Sequence, residues 1–138
     1  MTYDPSNIFG KILRGEIPAH KVYEDETALV MMDIFPQSRG HTLVIPKAVS
    51  RNLLDADPAA LAAVIPLVQK VAKAVKSATN ADGIRLAQFN EATAGQTVFH
   101  LHFHIIPAYE GTALAPHAGG KADDAELAAL ASEIAAQL

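Results

Sequence analysis

The run His100-Leu101-His102-Phe103-His104-Ile105-Ile106-Pro107 sets three imidazoles at alternate positions and fills the gaps with apolar residues. In an extended strand successive side chains leave opposite faces, so His100, His102 and His104 share one face while Leu101, Phe103 and Ile105 share the other. The apolar face calls for a core, and the imidazole face for a cleft. Three readings of that face are open. The rings could be structural or merely exposed. Two of them could converge on a metal ion, although residues two apart in a strand are roughly 6.6 Å apart at Cα. Three in line span a site more easily than they enclose an ion, and no acidic residue lies close in sequence to complete a ligand set. The third reading is phosphoryl chemistry. A neutral imidazole with a pKa of about 6.5 keeps a lone pair near neutral pH, and its neighbours can fix which ring nitrogen carries the proton. A middle histidine flanked by two others can then act as nucleophile, with one neighbour orienting it and the other donating to a phosphate oxygen or leaving group.

Just upstream, "NEATAGQTVF" offers oxyanion donors: the amides of Asn90 and Gln96, the hydroxyl of Thr97, and Gly95, whose missing Cβ permits close approach. These are ordinary turn residues as well, and the loop gains meaning from its place beside the histidines.

The elements that must position these residues can be read from periodicity. Ile8, Phe9, Ile12 and Leu13 follow helical spacing, with Ser6 as the expected N-cap and an end near Gly15. "KVYEDETALVMMDI" predicts a hairpin around Asp25 and Glu26, and "HTLVIPK" a short strand closed by Pro46. Asp57 as N-cap, Pro58 in the first turn and apolar residues at Leu61, Val64, Ile65, Val68, Val71 and Val75 predict the longest helix, with a kink at Pro66. "GIRLAQFN" and "TVFHLHFHIIPA" read as two further strands. The tail predicts an amphipathic helix with acidic residues at its start and Leu127, Leu130, Ile134 and Leu138 on one stripe. Strands grouped around one long helix make the fold class α+β with a mostly antiparallel sheet, its Leu101, Phe103 and Ile105 face packed on that helix.

At 138 residues, half of them hydrophobic, the chain has the size and composition of a single globular domain. The apolar runs are short, so no membrane span is expected, and the first ten residues lack the pattern of a secretory signal. A cytoplasmic location is the expectation that follows. The absence of cysteine rules out disulfides, thiolate metal sites and a Cys nucleophile. A net charge of -4 with scattered Lys and Arg argues against a nucleic-acid partner, while a single phosphate could still be held by local N–H donors.

With these residues in view, the sequence closely resembles the histidine triad (HIT) superfamily, whose signature is His-x-His-x-His-x-x with x apolar. "IFGKILRGEIPA", "DIFPQSRGHTLVIPK" and "FNEATAGQTVFHLHFHIIP" are similar to its histidine triad nucleotide-binding branch, a resemblance covering about Ile8 to Pro107. It implies a five-stranded HIT-like sheet against the long kinked helix, flanked by the short N-terminal and the C-terminal helices, with 108–138 an extension outside the core match. It further implies that His102 is the nucleophile toward an α-phosphorus, that His104 binds the phosphate and leaving-group region, and that His100 and His41 support the site. By the same resemblance Asn90, Gly95, Gln96 and Thr97 line a phosphate pocket and Asp33 accepts from ribose hydroxyls. Ile8, Phe9, Ile12, Met31, Ile34 and Leu43 would form a purine slot, though core packing accounts equally for Ile12 and Met31. The implied substrate is a purine nucleoside 5′-phosphoramidate or similar AMP conjugate, with a dinucleoside polyphosphate or a scaffold role as rivals and a homodimer as the usual assembly. No cofactor is implied. Many relatives hold a structural zinc through two N-terminal cysteines, a later histidine and the first triad histidine. Here Asn7, Gly10 and Val49 stand at the first three places and only His100 remains, so no metal is expected. Residues 108–120, including His117, are left with two readings: they cover the site and tune leaving-group choice, or they link to the last helix.

Overall fold

The computed structural model describes residues 2–116 and 119–138, so His117 lies outside the described residues. Five strands form one sheet in the order β1-β2-β3-β5-β4, with every neighbouring pair antiparallel. They are β1 (Lys21–Glu24), β2 (Ala28–Met32), β3 (Thr42–Pro46), β4 (Gly83–Ala87) and β5 (Phe103–Ala108). Three helices accompany them: α1 (Ile8–Leu13), α2 (Pro58–Thr79) and α3 (Asp124–Ala135). The α+β class, the antiparallel sheet and the helix complement are as the sequence predicts.

The central strands β2 and β3 are buried at every position, because the sheet is covered on both faces. Val30, Met32, Val44, Phe103 and Ile105 join the α2 stripe Val64, Val68, Val71 and Val75 in the main core. Leu29, Met31, Leu43 and Ile45 alternate with them and form a second, smaller cluster with Phe9 and Ile12 of α1. By length and composition alone α2 could cross a bilayer, but its apolar stripe is spent on this core. The helix continues through Pro66 without a break.

Local signals explain most boundaries. Asp25 makes the β1–β2 turn by accepting from the N–H groups of Thr27 and Ala28 through Oδ1. Asp57 caps α2 as expected. The cap of α1 is Asn7, whose Oδ1 accepts from Gly10 N at 2.8 Å, and not Ser6, whose hydroxyl is turned to Asp4 Oδ1. Gly40 is required where it stands: its φ is +96°, and a Cβ there would lie 2.5 Å from Thr79 Cγ2.

The last strand needs correction as well. The strand expected over 97–108 begins only at Phe103. Residues ahead of it spend their backbone groups elsewhere, Leu101 N–H on Ser50 O at 3.0 Å and His100 O on the ring of His102. The two-face alternation nevertheless survives, since Leu101 enters the main core with Phe103 and Ile105. The expected apolar stripe of α3 is observed: Leu127, Leu130, Ala131 and Ile134 belong to the main core, and α3 packs on α2, β1 and β2.

Candidate active site

A cavity of about 270 Å³ opens on the α1 side of the sheet. Its walls include all six residues of the expected slot, Ile8, Phe9, Ile12, Met31, Ile34 and Leu43. Ile12 and Met31 serve as core and as wall at once, which is why packing accounts for them as well as a pocket does. The polar wall comprises His20, Asp33, Thr97, His102 and His104. Leu43 pairs with His104 across β3–β5 and with Met31 across β2–β3, so the histidine end and the apolar slot lie in one row of cross-strand neighbours.

The proton positions on four histidines follow from partners whose roles are fixed. A carbonyl can only accept, so His102 Nδ1, 2.7 Å from His100 O, carries its proton and leaves the lone pair on Nε2. The edge of Phe9 packs on the His102 ring, with centroids 4.8 Å apart, and limits its rotation. A backbone N–H can only donate, so the Gln37 N–H at 3.0 Å makes His41 Nδ1 an acceptor and places the His41 proton on Nε2. That proton points to His104 Nδ1 at 3.0 Å, which puts the His104 proton on Nε2. Asp33 Oδ2 lies 3.4 Å from the same His41 nitrogen, while Asp33 Oδ1 accepts from Phe35 N–H at 2.8 Å. A donor relay thus runs from the backbone through His41 to His104.

His100 is placed apart from the others. It is fully buried outside the cavity wall, donating from Nε2 to Pro46 O at 2.7 Å and accepting the Tyr3 hydroxyl on Nδ1 at 2.7 Å. Burial pushes its pKa below the ordinary histidine value, partly countered by the Pro46 carbonyl. Its link to the cavity is its own carbonyl, which orients His102.

The loop before the histidines is also rearranged relative to expectation. Thr97 lines the cavity, whereas Asn90, Gly95 and Gln96 do not. The Gln96 amide is buried and donates to Arg51 O and Val98 O while accepting from Glu91 N–H and Asn52 Nδ2. Asn90 accepts from Leu53 N–H and exchanges hydrogen bonds with the Gln88 amide. Gly95 supplies the turn, at φ +107°. Arg51 makes a two-pronged pair with Glu91, at 2.8 and 3.0 Å, and lies 4.2 Å over the Phe99 ring. That pairing lowers the Glu91 pKa and holds Glu91 at a φ of +76°, a conformation costly for a side chain of its size. Tyr3, His20, Arg51, Asn52 and Glu91 are the functional neighbours that sequence reasoning missed. Only Asn52 left a signal, the N-x-x-D pattern of its capping box with Asp55.

Two donor sets bear on metal binding. Asp33, His41 and His104 have potential ligand atoms within 4.8 Å of one another. A cation on His41 Nε2 would have to displace the proton that the Gln37 N–H obliges that nitrogen to carry, so the trio is better matched to hydrogen bonding. The structural zinc of the resembling proteins does not fit either. Asn7 is occupied as a helix cap, Gly10 has no side chain, Val49 is 66% exposed and cannot ligate, and His100 Nδ1 takes the Tyr3 hydroxyl.

Sheet, relay and apolar cavity together define a site of the histidine triad kind. The chain belongs to the HIT domain family, whose match spans residues 14–111. A crystal structure of a Hit-like protein from Bartonella henselae, described as involved in cell-cycle regulation and holding an unknown ligand, is 55% identical and superposes over 100% of both chains with a TM-score of 0.95. A zinc-bound histidine triad family protein from Mycobacterium smegmatis is 38% identical, with a TM-score of 0.84 over 96% of this chain and 94% of that one. The adenylylsulfatase HINT3 of Arabidopsis thaliana is 43% identical over 75% of this chain, which spans 52% of the length of that protein.

Proposed function

We propose that this chain is a nucleotide hydrolase that cleaves purine nucleoside 5′-phosphoramidates or related adenylate conjugates through a covalent nucleotidyl intermediate on His102. The observation that carries the reading is the His102 Nδ1–H bond to the His100 carbonyl, which leaves the Nε2 lone pair as the nucleophile of a cavity-lining ring. In the first step Nε2 attacks the α-phosphorus, a P–N bond to the enzyme forms, and the bond from phosphorus to the leaving group breaks. The amine departs with a proton taken from solvent, and the attacking water of the second step gives one back to solvent. Water then attacks the same phosphorus, the P–N bond to His102 breaks, and a nucleoside monophosphate is released. The His104 Nε2–H, fixed by the relay from His41, and the Thr97 hydroxyl serve as donors to the phosphate oxygens as charge grows on them. Asp33 is the acceptor for ribose hydroxyls, and the apolar walls hold the purine.

Cavity charge favours a conjugate with one phosphate over a dinucleoside polyphosphate. No Lys or Arg is among the described residues lining the cavity, and nearby Arg51 is paired with Glu91. The relative named adenylylsulfatase supports the adenylate class. A two-fold dimer accords with the edge position of β4 and the exposure of its Leu86, 56%, and of Ile65 on α2, 47%. Sedimentation of the purified chain tests that assembly.

The enzymatic test compares turnover of adenosine 5′-phosphoramidate with that of diadenosine tri- and tetraphosphate, with denaturing quench during turnover. Faster cleavage of the phosphoramidate and an acid-labile nucleotide adduct mapped to His102 are expected. Preference for the polyphosphates would reverse the substrate order, and hydrolysis without an adduct under trapping conditions would remove the covalent route.

A further inference from the structure

Among the described residues, His20 is the one imidazole in the cavity wall that the proposed chemistry does not use. It stands at the start of β1, where its carbonyl accepts from Met32 N–H at 3.0 Å. The sheet order places it three strands from His104: β5 carries His104, β3 carries Leu43, β2 carries Met31 beside Asp33, and β1 follows His20. Three inter-strand steps span about 14 Å. A nucleoside monophosphate with its phosphate at His102 and His104 and its ribose at Asp33 would set its base against Leu43 and Met31, in the same cavity whose wall includes His20.

The orientation of His20 is set from the C-terminal helix. Its Nε2 lies 3.2 Å from Asp124 Oδ1, in the first turn of α3. A carboxylate accepts, so Nε2 carries the proton and the neutral ring keeps its lone pair on Nδ1. The same stretch of chain secures a second wall residue, since Ala122 N–H donates to Ile34 O at 2.9 Å. The exposed pair is of little account for stability. Its consequence is to choose which nitrogen of His20 is available to a ligand.

We propose that His20 is a specificity-determining residue for the base, with Nδ1 accepting from the exocyclic amine of a 6-aminopurine, and that Asp124 is its positioning residue. This rests on the nucleotide reading above. A 6-oxopurine would turn a carbonyl lone pair toward the Nδ1 lone pair and lose the bond. The C-terminal helix, beyond the stretch that the HIT family match covers, thereby takes part in choosing the substrate.

The test measures dissociation constants of AMP and IMP by calorimetry for the wild type, His20→Ala, His20→Phe, Asp124→Ala and Asp124→Asn, each checked for folding by circular dichroism. The wild type is expected to prefer AMP about tenfold or more, the discrimination of a site that offers one hydrogen bond. His20→Ala and His20→Phe should bring the ratio to within about threefold, the phenylalanine restoring ring volume without an acceptor. Asp124→Ala should lower the ratio in part, and Asp124→Asn should retain it, because its amide oxygen still accepts from Nε2–H. An unchanged ratio in both His20 variants, or restoration of it by His20→Phe, would overturn the assignment while leaving the nucleotide reading intact. Failure of the wild type to bind either nucleotide would overturn both.

Discussion

On one face of the segment 100–106, Leu101, Phe103 and Ile105 are packed among the valines of α2 and the apolar side of β2 and β3. On the other, His102 and His104 stand in the cavity wall, their rings 4.9 Å apart, with His102 Nδ1 on the His100 carbonyl and His104 Nδ1 on His41. The same two-residue alternation makes both faces, but different physics specifies them. The packed face is set by volume, with many weak contacts that share any loss. The imidazole face is set by proton placement: a carbonyl dictates one tautomer and a backbone N–H dictates another two rings away. A change of one atom there alters chemistry while changing little volume.

The largest effect expected from breaking this contrast is at His102. His102→Ala should reduce turnover of an adenylate phosphoramidate by at least about 10⁴-fold, as loss of a covalent nucleophile does, with little change in melting temperature. Quenched-flow assay beside a thermal melt checks both halves. The converse substitution is Ile105→Ala, on the packed face and fully buried. It should cost about 3 kcal/mol of stability in a urea titration while the folded fraction retains near-normal turnover. Comparable loss of turnover in both variants, corrected for folded fraction, would show that the faces are not separable.

A smaller effect is expected one step along the relay. His41→Phe keeps a ring beneath Asp33 but removes the Nε2–H that sets the His104 tautomer. Turnover should drop about 10- to 100-fold through misplacement of a donor, with nucleotide affinity less affected. Equal loss in kcat and affinity would make His41 part of ligand binding and not of the relay.

How much of this could be read in advance depends on the range of the interaction. The faces of the segment, the cap at Asp57, the α2 stripe and the slot residues are periodic or local signals, and the sequence carries them openly. The extent of the last strand was misread because apolar alternation persists through residues 97–102 although their backbone bonds go to loops. His100 looked equivalent to its neighbours since spacing alone cannot tell a ring in a cavity from one sealed under Tyr3, 97 positions away. Gln96 and Asn90 have the chemistry of phosphate donors, and only their partners show that their amides hold the loop. Tyr3, His20 and Arg51 left no pattern because each meets its partner across the fold, where one sequence offers no distance.

The subtlest distinction lies between two histidines on the same side of the alternation, and pH separates them. His100 is sealed from solvent with its pKa lowered by burial, so the unfolded chain binds a proton more readily than the folded one. Stability therefore rises with pH in that window. The contribution is fully present above the unfolded histidine value of about 6.5 and is lost as pH falls below it toward the lower folded value. Urea titrations from neutral to acid pH should show a steeper loss of stability in the wild type than in His100→Gln, which cannot take up that proton. On the proposed mechanism, turnover in the folded wild type should also decline on acidification, without unfolding of the chain. If the slope of stability against pH is the same in both proteins, the buried ring is not the group that titrates on unfolding, and the seal made by Tyr3 and Pro46 does not act as a barrier to its protonation.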